Sequence, residues 1–141
     1  MSKPNVQFSV ASHIMAALGA RHGEEMRSGE LAVSINADAS FVRRVLSKLA
    51  KAGLVSTTRG KNGACSLAKP PSRITLLDIY RASDAPAAFA VHAYPVKQEC
   101  HISRNIKRCM TDVLRDAQAG LEQGLAKQTL ADIVSNARKG R

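Results

Sequence analysis

Residues 38–67 read DASFVRRVLSKLAKAGLVSTTRGKNGACSL, and they carry the clearest structural pattern in this chain of 141 residues. Asp38 has the side chain of a good helix N-cap. The apolar residues after it recur at helical spacing and would form one buried stripe. They are Phe41, Val42, Val45, Leu46 and Leu49. Gly53 stands where a helix end favours a residue that tolerates positive φ, so the pattern predicts a helix that ends just before it.

A short β-hairpin is predicted directly after this helix. The range 54–58 is partly β-branched, Gly60 and Gly63 mark a turn, and the range 64–68 returns as a second strand. A helix followed by a hairpin with a basic tip is typical of the winged helix-turn-helix. That module places one helix in the major groove of DNA.

The charge of this region favours the same interpretation. No acidic residue lies between Asp38 and Asp78, whereas several basic residues do. They are Arg43, Arg44, Lys48, Lys51, Arg59, Lys61, Lys69 and Arg73. The whole chain has a formal net charge of +10 and a pI near 10.1, which favours a polyanionic partner. An ordinary solvated helix face is the simpler alternative, but it does not require unopposed cations over so long a stretch.

Three more helices are predicted around this helix and hairpin. They span approximately 5–19, 26–35 and 74–82. Ser28 could cap the second of these helices and Thr75 the third. Helix, short helix, turn, helix and wing is the order that a winged helix-turn-helix requires. We therefore assign residues 1–82 to a DNA-binding domain of this type.

Beyond residue 82 the chain is predicted to have three parts. Residues 83–99 form a linker or sensor loop, 100–136 contain a long helix and a short terminal helix, and 137–141 are a disordered basic tail. The long helix carries an apolar stripe: Ile106, Met110, Leu114, Ala117, Leu121 and Leu125. Such a stripe needs another surface, which the same helix of a second subunit would supply. The fold class is thus mainly α with a small β-wing: a winged helix-turn-helix plus a long C-terminal dimerisation helix.

The composition predicts a cytoplasmic protein with no membrane partner. No apolar run approaches the length of a bilayer span. The N-terminal apolar segment is interrupted by Gln7, Ser9 and Ser12 in an amphipathic pattern, which is poor for a signal peptide. An odd number of cysteines, three, indicates reduced thiols rather than a structural disulfide framework.

Two long runs of sequence resemble a known family. They are FVRRVLSKLAKAGLVSTTRGKNGACSLAKPPSRITLLDIYRA and CHISRNIKRCMTDVLRDAQAGLEQGLAKQTLADIV. Together they resemble the bacterial winged-helix transcription regulators of the IscR, NsrR and CymR type. The resemblance implies a homodimeric, sequence-specific regulator that binds palindromic double-stranded operator DNA, and we expect a repressor. It also suggests that the protein senses a signal.

The candidate DNA-binding residues follow from the predicted helix and from the family's use of these positions. Side chains at the N-terminal part of the recognition helix would meet base edges, where Arg is the natural bidentate partner of guanine. Residues further along the helix would hold phosphates, or would simply be solvated. The wing tip would enter a minor groove and contact the backbone beside it. The N-terminal part of the helix carries Ser40, Arg43 and Arg44. Lys48 lies further along the helix, and the wing tip carries Arg59 and Lys61.

The three cysteines, Cys65, Cys100 and Cys109, are the candidate redox-sensing residues. Cys100 lies at a predicted helix N-terminus among basic residues, which favours the reactive thiolate. Cys109 falls beside the apolar stripe, and Cys65 lies in the wing. On one helix Cys100 and Cys109 would be about 13 Å apart, too far for a disulfide. Oxidation or electrophile attack at Cys100 is one hypothesis for a switch; an unseen ligand or partner is the other.

We expect no cofactor. Cluster-binding members of the family carry three closely spaced cysteines in the linker, whereas only Cys100 and Cys109 occupy that region here. A metal site that used His92 and His101 together with these two cysteines would match no standard zinc or cluster spacing. An iron–sulfur or other metal-dependent regulator is the alternative, and a non-specific architectural nucleic-acid-binding protein is a further one. An enzyme is not expected, because no acid–base pair, nucleophile triad or phosphate loop has a usable spacing.

Overall fold

The computed structural model describes residues 5–58 and 63–140. Six α-helices, three strands and one short 3₁₀ helix lie in these ranges. They are α1 Gln7–Ala20, β1 Met26–Arg27, α2 Ser28–Ile35, α3 Ala39–Lys51, β2 Val55–Thr57, β3 Ala64–Leu67, the 3₁₀ helix Pro71–Arg73, α4 Leu76–Ala82, α5 His101–Ala126 and α6 Leu130–Arg138. The predicted fold class, mainly α with a small β-wing, is confirmed.

The chain forms two compact units. The first contains the residues up to Ala85 together with those from Leu125 onward, and the second spans Pro86–Gly124. The core of the first unit joins helices α1 to α4 with the sheet and α6. The apolar stripe predicted on α3 belongs to this core: Val42, Val45, Leu46 and Leu49 are buried, and Phe41 is half-buried.

The sheet has three antiparallel strands in the order β1-β3-β2. The sequence predicted only the hairpin of β2 and β3, and it assigned Met26 to the second helix. In the structure Met26 pairs with Cys65, and α2 begins at Ser28. Ser28 is therefore the first helical residue and not the cap; Arg27 takes the cap position without a side-chain hydrogen bond. A strand of two residues has no alternation from which to predict it.

Two capping boxes of the same kind begin α4 and α6. Thr75 accepts from the Asp78 N–H at 3.0 Å, and Asp78 accepts from the Thr75 N–H at 2.9 Å. Thr129 and Asp132 repeat the arrangement, with distances of 3.1 and 3.0 Å. The Leu130 N–H donates to the Ile74 carbonyl at 2.8 Å, which joins the two helix starts.

The terminal helix α6 packs in the first unit, whereas the sequence grouped it with the long helix. Leu130 is fully buried, and Val134 lies so close to Gly19 of α1 that a Cβ there would be 3.0 Å away. α6 also continues to Arg138, where the sequence began a tail at Ala137. The Arg138 guanidinium donates to the Ala20 carbonyl, which anchors this end.

The long helix α5 begins and ends close to its predicted bounds, at His101 and Ala126. None of its residues, all of which the structure describes, is buried. In the second unit the linker contacts the first turns of α5: the Tyr94 hydroxyl donates to the Ser103 carbonyl, and the Lys97 N–H donates to Ser103 Oγ at 2.9 Å.

Within the described ranges, no helix combines the length and apolar character that crossing a bilayer requires.

Candidate nucleic-acid interface

The start of α3 is fixed by Asp38. Its carboxylate accepts from the Phe41 N–H at 3.1 Å and from the Ser40 hydroxyl at 2.6 Å. The Ser40 hydroxyl, followed by the Phe41 N–H, holds the pKa of the Asp38 carboxyl below its ordinary value. Asp38 therefore remains an ionised cap at neutral pH. Ser40 is exposed, but its hydroxyl proton is engaged by Asp38, so its oxygen is left as an acceptor.

Arg43 and Arg44 are both exposed on α3 and face different surroundings. The Arg44 guanidinium carbon lies 5.6 Å from the centre of the Phe41 ring, a cation–π distance. Arg43 lines a groove between α3 and the wing, as does Lys51. The two arginines that the sequence predicted as DNA contacts therefore lie on two sides of one exposed face of α3.

The groove between α3 and the wing has a volume of about 500 Å³. Leu46 and Cys65 are nearly completely buried at its floor. Three hydroxyl side chains, which the sequence did not indicate as DNA contacts, also line it: Ser28, Ser47 and Thr57. Ser28 could not be placed there from the sequence, because the pairing of β1 with β3 brings the start of α2 beside the wing and no local pattern indicates that pairing.

Lys48 lies one turn beyond Arg44, on the side of α3 that faces α4. Its ammonium nitrogen is 3.9 Å from Oδ2 of Asp84, a residue just after α4. About a third of the Lys48 side chain is exposed. The sequence predicted a phosphate contact for Lys48, and gave no sign of a carboxylate partner because the two residues are far apart in the chain.

The base of the wing is closed by Thr58. Its N–H donates to the Ala64 carbonyl at 2.9 Å, and its hydroxyl accepts from the Ala64 N–H at 3.1 Å. Two residues predicted to contact DNA from the wing tip, Arg59 and Lys61, lie outside the described residues.

Cys65 is enclosed by the sheet. Only 1% of its surface is exposed, and its thiol donates to the Met26 carbonyl at 3.0 Å. Burial raises the pKa of the Cys65 thiol to about 11, and the carboxylates of Glu30 and Glu25 add to the rise. The thiol is thus protonated and shielded at neutral pH, which disfavours reaction with oxidants.

Cys100 and Cys109 are both exposed. The Ser103 N–H donates to Cys100 Sγ at 3.4 Å, so Cys100 lies at the start of α5 and accepts from its first turn. Two of the basic residues near it contact each other: the Arg104 guanidinium lies 2.6 Å from Nδ1 of His101. The sequence placed Cys109 beside the apolar stripe, and its side chain is open to solvent in the single chain.

Comparisons with known proteins agree with this geometry. A family model described as Rrf2, iron-dependent transcriptional regulator, matches residues 5–136. The HTH-type transcriptional regulator YwnA of Bacillus subtilis is 32% identical over 133 residues, which cover 94% of this chain and 97% of that protein. A crystal structure of a transcriptional regulator from Lactobacillus plantarum has a TM-score of 0.81 and 28% identity, over 94% of this chain and 90% of that one.

CymR of B. subtilis, described as its global cysteine regulator, shares the fold. The TM-score is 0.66 with 24% identity, over 96% of this chain and 98% of that chain.

The family description mentions iron, and a bound iron would need ligands from this chain. Among residues 5–58 and 63–140, no group of three or more His, Cys, Asp and Glu side chains is close enough to hold a metal ion. Cys65 donates its hydrogen bond inside the sheet, and Cys100 and Cys109 are separated by more than two turns of one helix. The described side chains therefore do not fit a cluster site built from three cysteines of one chain.

Proposed function

The chain belongs to the Rrf2 family of transcriptional regulators, and we propose that it represses transcription by binding palindromic operator DNA as a homodimer. The observation that carries the proposal is the exposed cationic face of α3 beside the wing. That face is held by an ionised cap and by a buried apolar stripe, so its side chains are presented from a rigid helix. Rigid presentation reduces the cost of ordering side chains on the DNA.

The side chains of this face would make different kinds of contact with DNA. Arg43 and Arg44 would read base edges in the major groove, with Ser40 accepting from a base amino group. Lys48 would contact a phosphate, which fixes position but carries no sequence information. The wing residues Arg59 and Lys61 would contact the minor groove and the backbone beside it.

The homodimer is supported by the exposure of α5. Several apolar side chains of this helix are open to solvent in the single chain: Ile102, Met110, Val113 and Leu121. Leaving a stripe of this length in water is unfavourable, and an isologous pairing with the same helix of a second subunit would cover it. Two recognition helices related by a twofold axis would then match a palindromic operator.

We further propose that oxidation or electrophile modification of Cys100 switches the regulator. The Cys100 thiolate would attack a peroxide, forming an S–O bond, breaking the O–O bond and releasing hydroxide, to give a sulfenic acid. The first turn of α5 is where this change would act. Ser103 donates its N–H to Cys100 and also holds the linker through Tyr94 and Lys97, so a modified sulfur would disturb both contacts.

Selection from a pool of random duplexes would test the proposal. The wild-type protein should enrich one palindromic sequence, and it should bind that sequence more tightly than a random duplex at the same salt concentration. The random duplex is the matched control, because it presents the same phosphates without the base sequence. Equal binding to both would indicate the non-specific architectural alternative.

A further inference from the structure

Asp84 occupies a fixed turn where α4 ends. The preceding residue, Ser83, is 2% exposed, and its hydroxyl donates to the Tyr80 carbonyl at 2.8 Å. Asp84 itself has φ of 55°, in the left-handed region. Asp and Asn tolerate that conformation better than most residues, although it is less favourable for them than for glycine. The carboxylate therefore projects from a turn whose position is set by the hydrogen bond of the buried Ser83 side chain.

The partner of this carboxylate is a residue of the recognition helix. Asp84 Oδ2 lies 3.9 Å from Lys48 Nζ. Lys48 and Asp84 line a surface depression between α3 and α4, together with Lys51 and Arg81. Asp84 is 72% exposed at its side chain, so water screens the pair and the attraction is weak. A weak ion pair of this kind can be exchanged for another partner.

We propose that Asp84 holds Lys48 in the DNA-free protein and that a DNA phosphate takes its place when DNA binds. Asp84 is then a positioning residue that lowers DNA affinity through Lys48. The inference rests on the proposed function, because it needs α3 to be the DNA-contacting helix. A phosphate is the natural competitor, since it offers the same anionic oxygens to the ammonium group.

The exchange should show in binding to a labelled random duplex of about 30 base pairs, because phosphate contacts do not depend on sequence. Asp84→Asn removes the charge, keeps the size and suits the left-handed turn, so the fold should be retained. We expect it to raise affinity about two- to fivefold, the range of an exposed ion pair. Lys48→Gln should lower affinity for the same duplex.

The double variant separates exchange from simple repulsion. In the Lys48→Gln background, Asp84→Asn should leave affinity unchanged, because the pair no longer exists. Asp116→Asn is the matched control, because it changes the net charge equally and also breaks an exposed ion pair. Oδ1 of Asp116 lies 3.8 Å from Nε of Arg115, nearly the distance between Lys48 and Asp84. The pair of Asp116 and Arg115 lies on α5, so the control should bind like the wild type.

The salt dependence gives a readout that a purely structural role would not move. Wild-type DNA binding frees the Asp84 carboxylate, which then takes up a cation and offsets part of the cation release from DNA. Asp84→Asn has no carboxylate there, so its slope of log affinity against log salt should be steeper than that of the wild type. The double variant lacks the Lys48 phosphate contact, so its slope should be shallower than that of Asp84→Asn by about 0.9. In the Lys48→Gln background the slope should not respond to Asp84→Asn.

Three outcomes would overturn the inference. One is a gain in affinity from Asp84→Asn that persists in the Lys48→Gln background, which would mean direct repulsion of DNA. Another is no gain from Asp84→Asn although Lys48→Gln weakens binding. The third is a wild-type protein that does not bind the duplex at all, which would contradict the proposed function first and this inference with it.

Discussion

Arg43 and Arg44 are adjacent in the chain, yet their surroundings on α3 differ. The Arg44 guanidinium is restrained by the Phe41 ring, whereas Arg43 lines the groove toward the wing. A restrained guanidinium gives up less freedom on binding, so Arg44 is prearranged to read a base edge.

Replacing Arg43 tests the assignment of base contacts. Arg43→Ala should cost about 1–3 kcal/mol on the selected operator and relax the preference at one base pair of each half-site. Affinities for the operator and for its single-base variants would be measured by fluorescence anisotropy. Lys48→Gln is the comparison variant, since loss of a phosphate contact should weaken all duplexes alike. If Arg43→Ala leaves affinity and selectivity unchanged, Arg43 does not contact the DNA.

The Cys65 thiol should make stability depend on pH in the alkaline range. Its pKa is raised by burial from 9.0 to about 11 in the folded protein. Between these values the unfolded chain loses the thiol proton and the folded protein keeps it, so the unfolding free energy falls as pH rises. The stabilising contribution is complete below pH 9, and about 1–3 kcal/mol of it is lost by pH 11.

Urea unfolding at several pH values in this window would measure the effect. The decline should be shallower in Cys65→Ala than in the wild type, whatever the absolute stability of that variant. Cys109→Ala, which removes an exposed thiol, should keep the wild-type slope. Equal slopes in the wild type and in Cys65→Ala would show that the buried thiol does not carry the pH dependence.

Among the secondary-structure elements, α3 and α5 could be predicted from sequence and β1 could not. Helices of 13 and 26 residues contain enough turns for their apolar spacing to be recognised. The N-cap of α4 was also predicted, at Thr75, from local sequence; the reciprocal hydrogen bond to Asp78 was not. β1 has two residues and exists because β3 offers it an edge, which is a non-local cause. Sequence patterns therefore could not predict the groove that β1 helps to form.

The stripe of α5 should decide the oligomeric state. Leu121→Lys places a charge in the apolar stripe of the proposed helix pairing, where burial without a partner is costly, so the dimer should dissociate. Gln123→Lys adds the same charge to an exposed position outside the stripe and is the control. Sedimentation velocity would distinguish monomer from dimer. If both variants sediment as dimers, α5 is not the interface that we propose.

The fold places α6 in the core of the first unit, although the order of the chain suggested that it belongs with α5. The repeated capping boxes at Thr75 and Thr129 lie side by side, and the Leu130 N–H donates to Ile74 across them. The C-terminal residues thus complete the core that supports α3. Charge and helix order gave the DNA-binding interpretation from sequence, but the closure of this core depends on contacts between residues more than fifty positions apart.

We expect modification of Cys100 to change how the whole protein binds its operator. Mild peroxide should release the wild-type protein from its operator, and a thiol reductant should restore binding. Cys100→Ser should bind DNA and no longer respond to peroxide, whereas Cys109→Ser should respond like the wild type. Operator binding before and after treatment, beside a count of free thiols, would measure both. A Cys100→Ser protein that still releases DNA on oxidation would place the switch elsewhere.

Two copies of α3 that read a palindrome should leave a symmetric pattern in hydroxyl-radical footprinting of the selected duplex. We predict two equivalent protected patches related by the dyad of the palindrome, with half-sites about one helical turn or a whole number of turns apart. Arg43→Ala should weaken both patches equally. A single asymmetric patch, or uniform protection along the duplex, would show that the protein does not read a palindrome with two copies of α3.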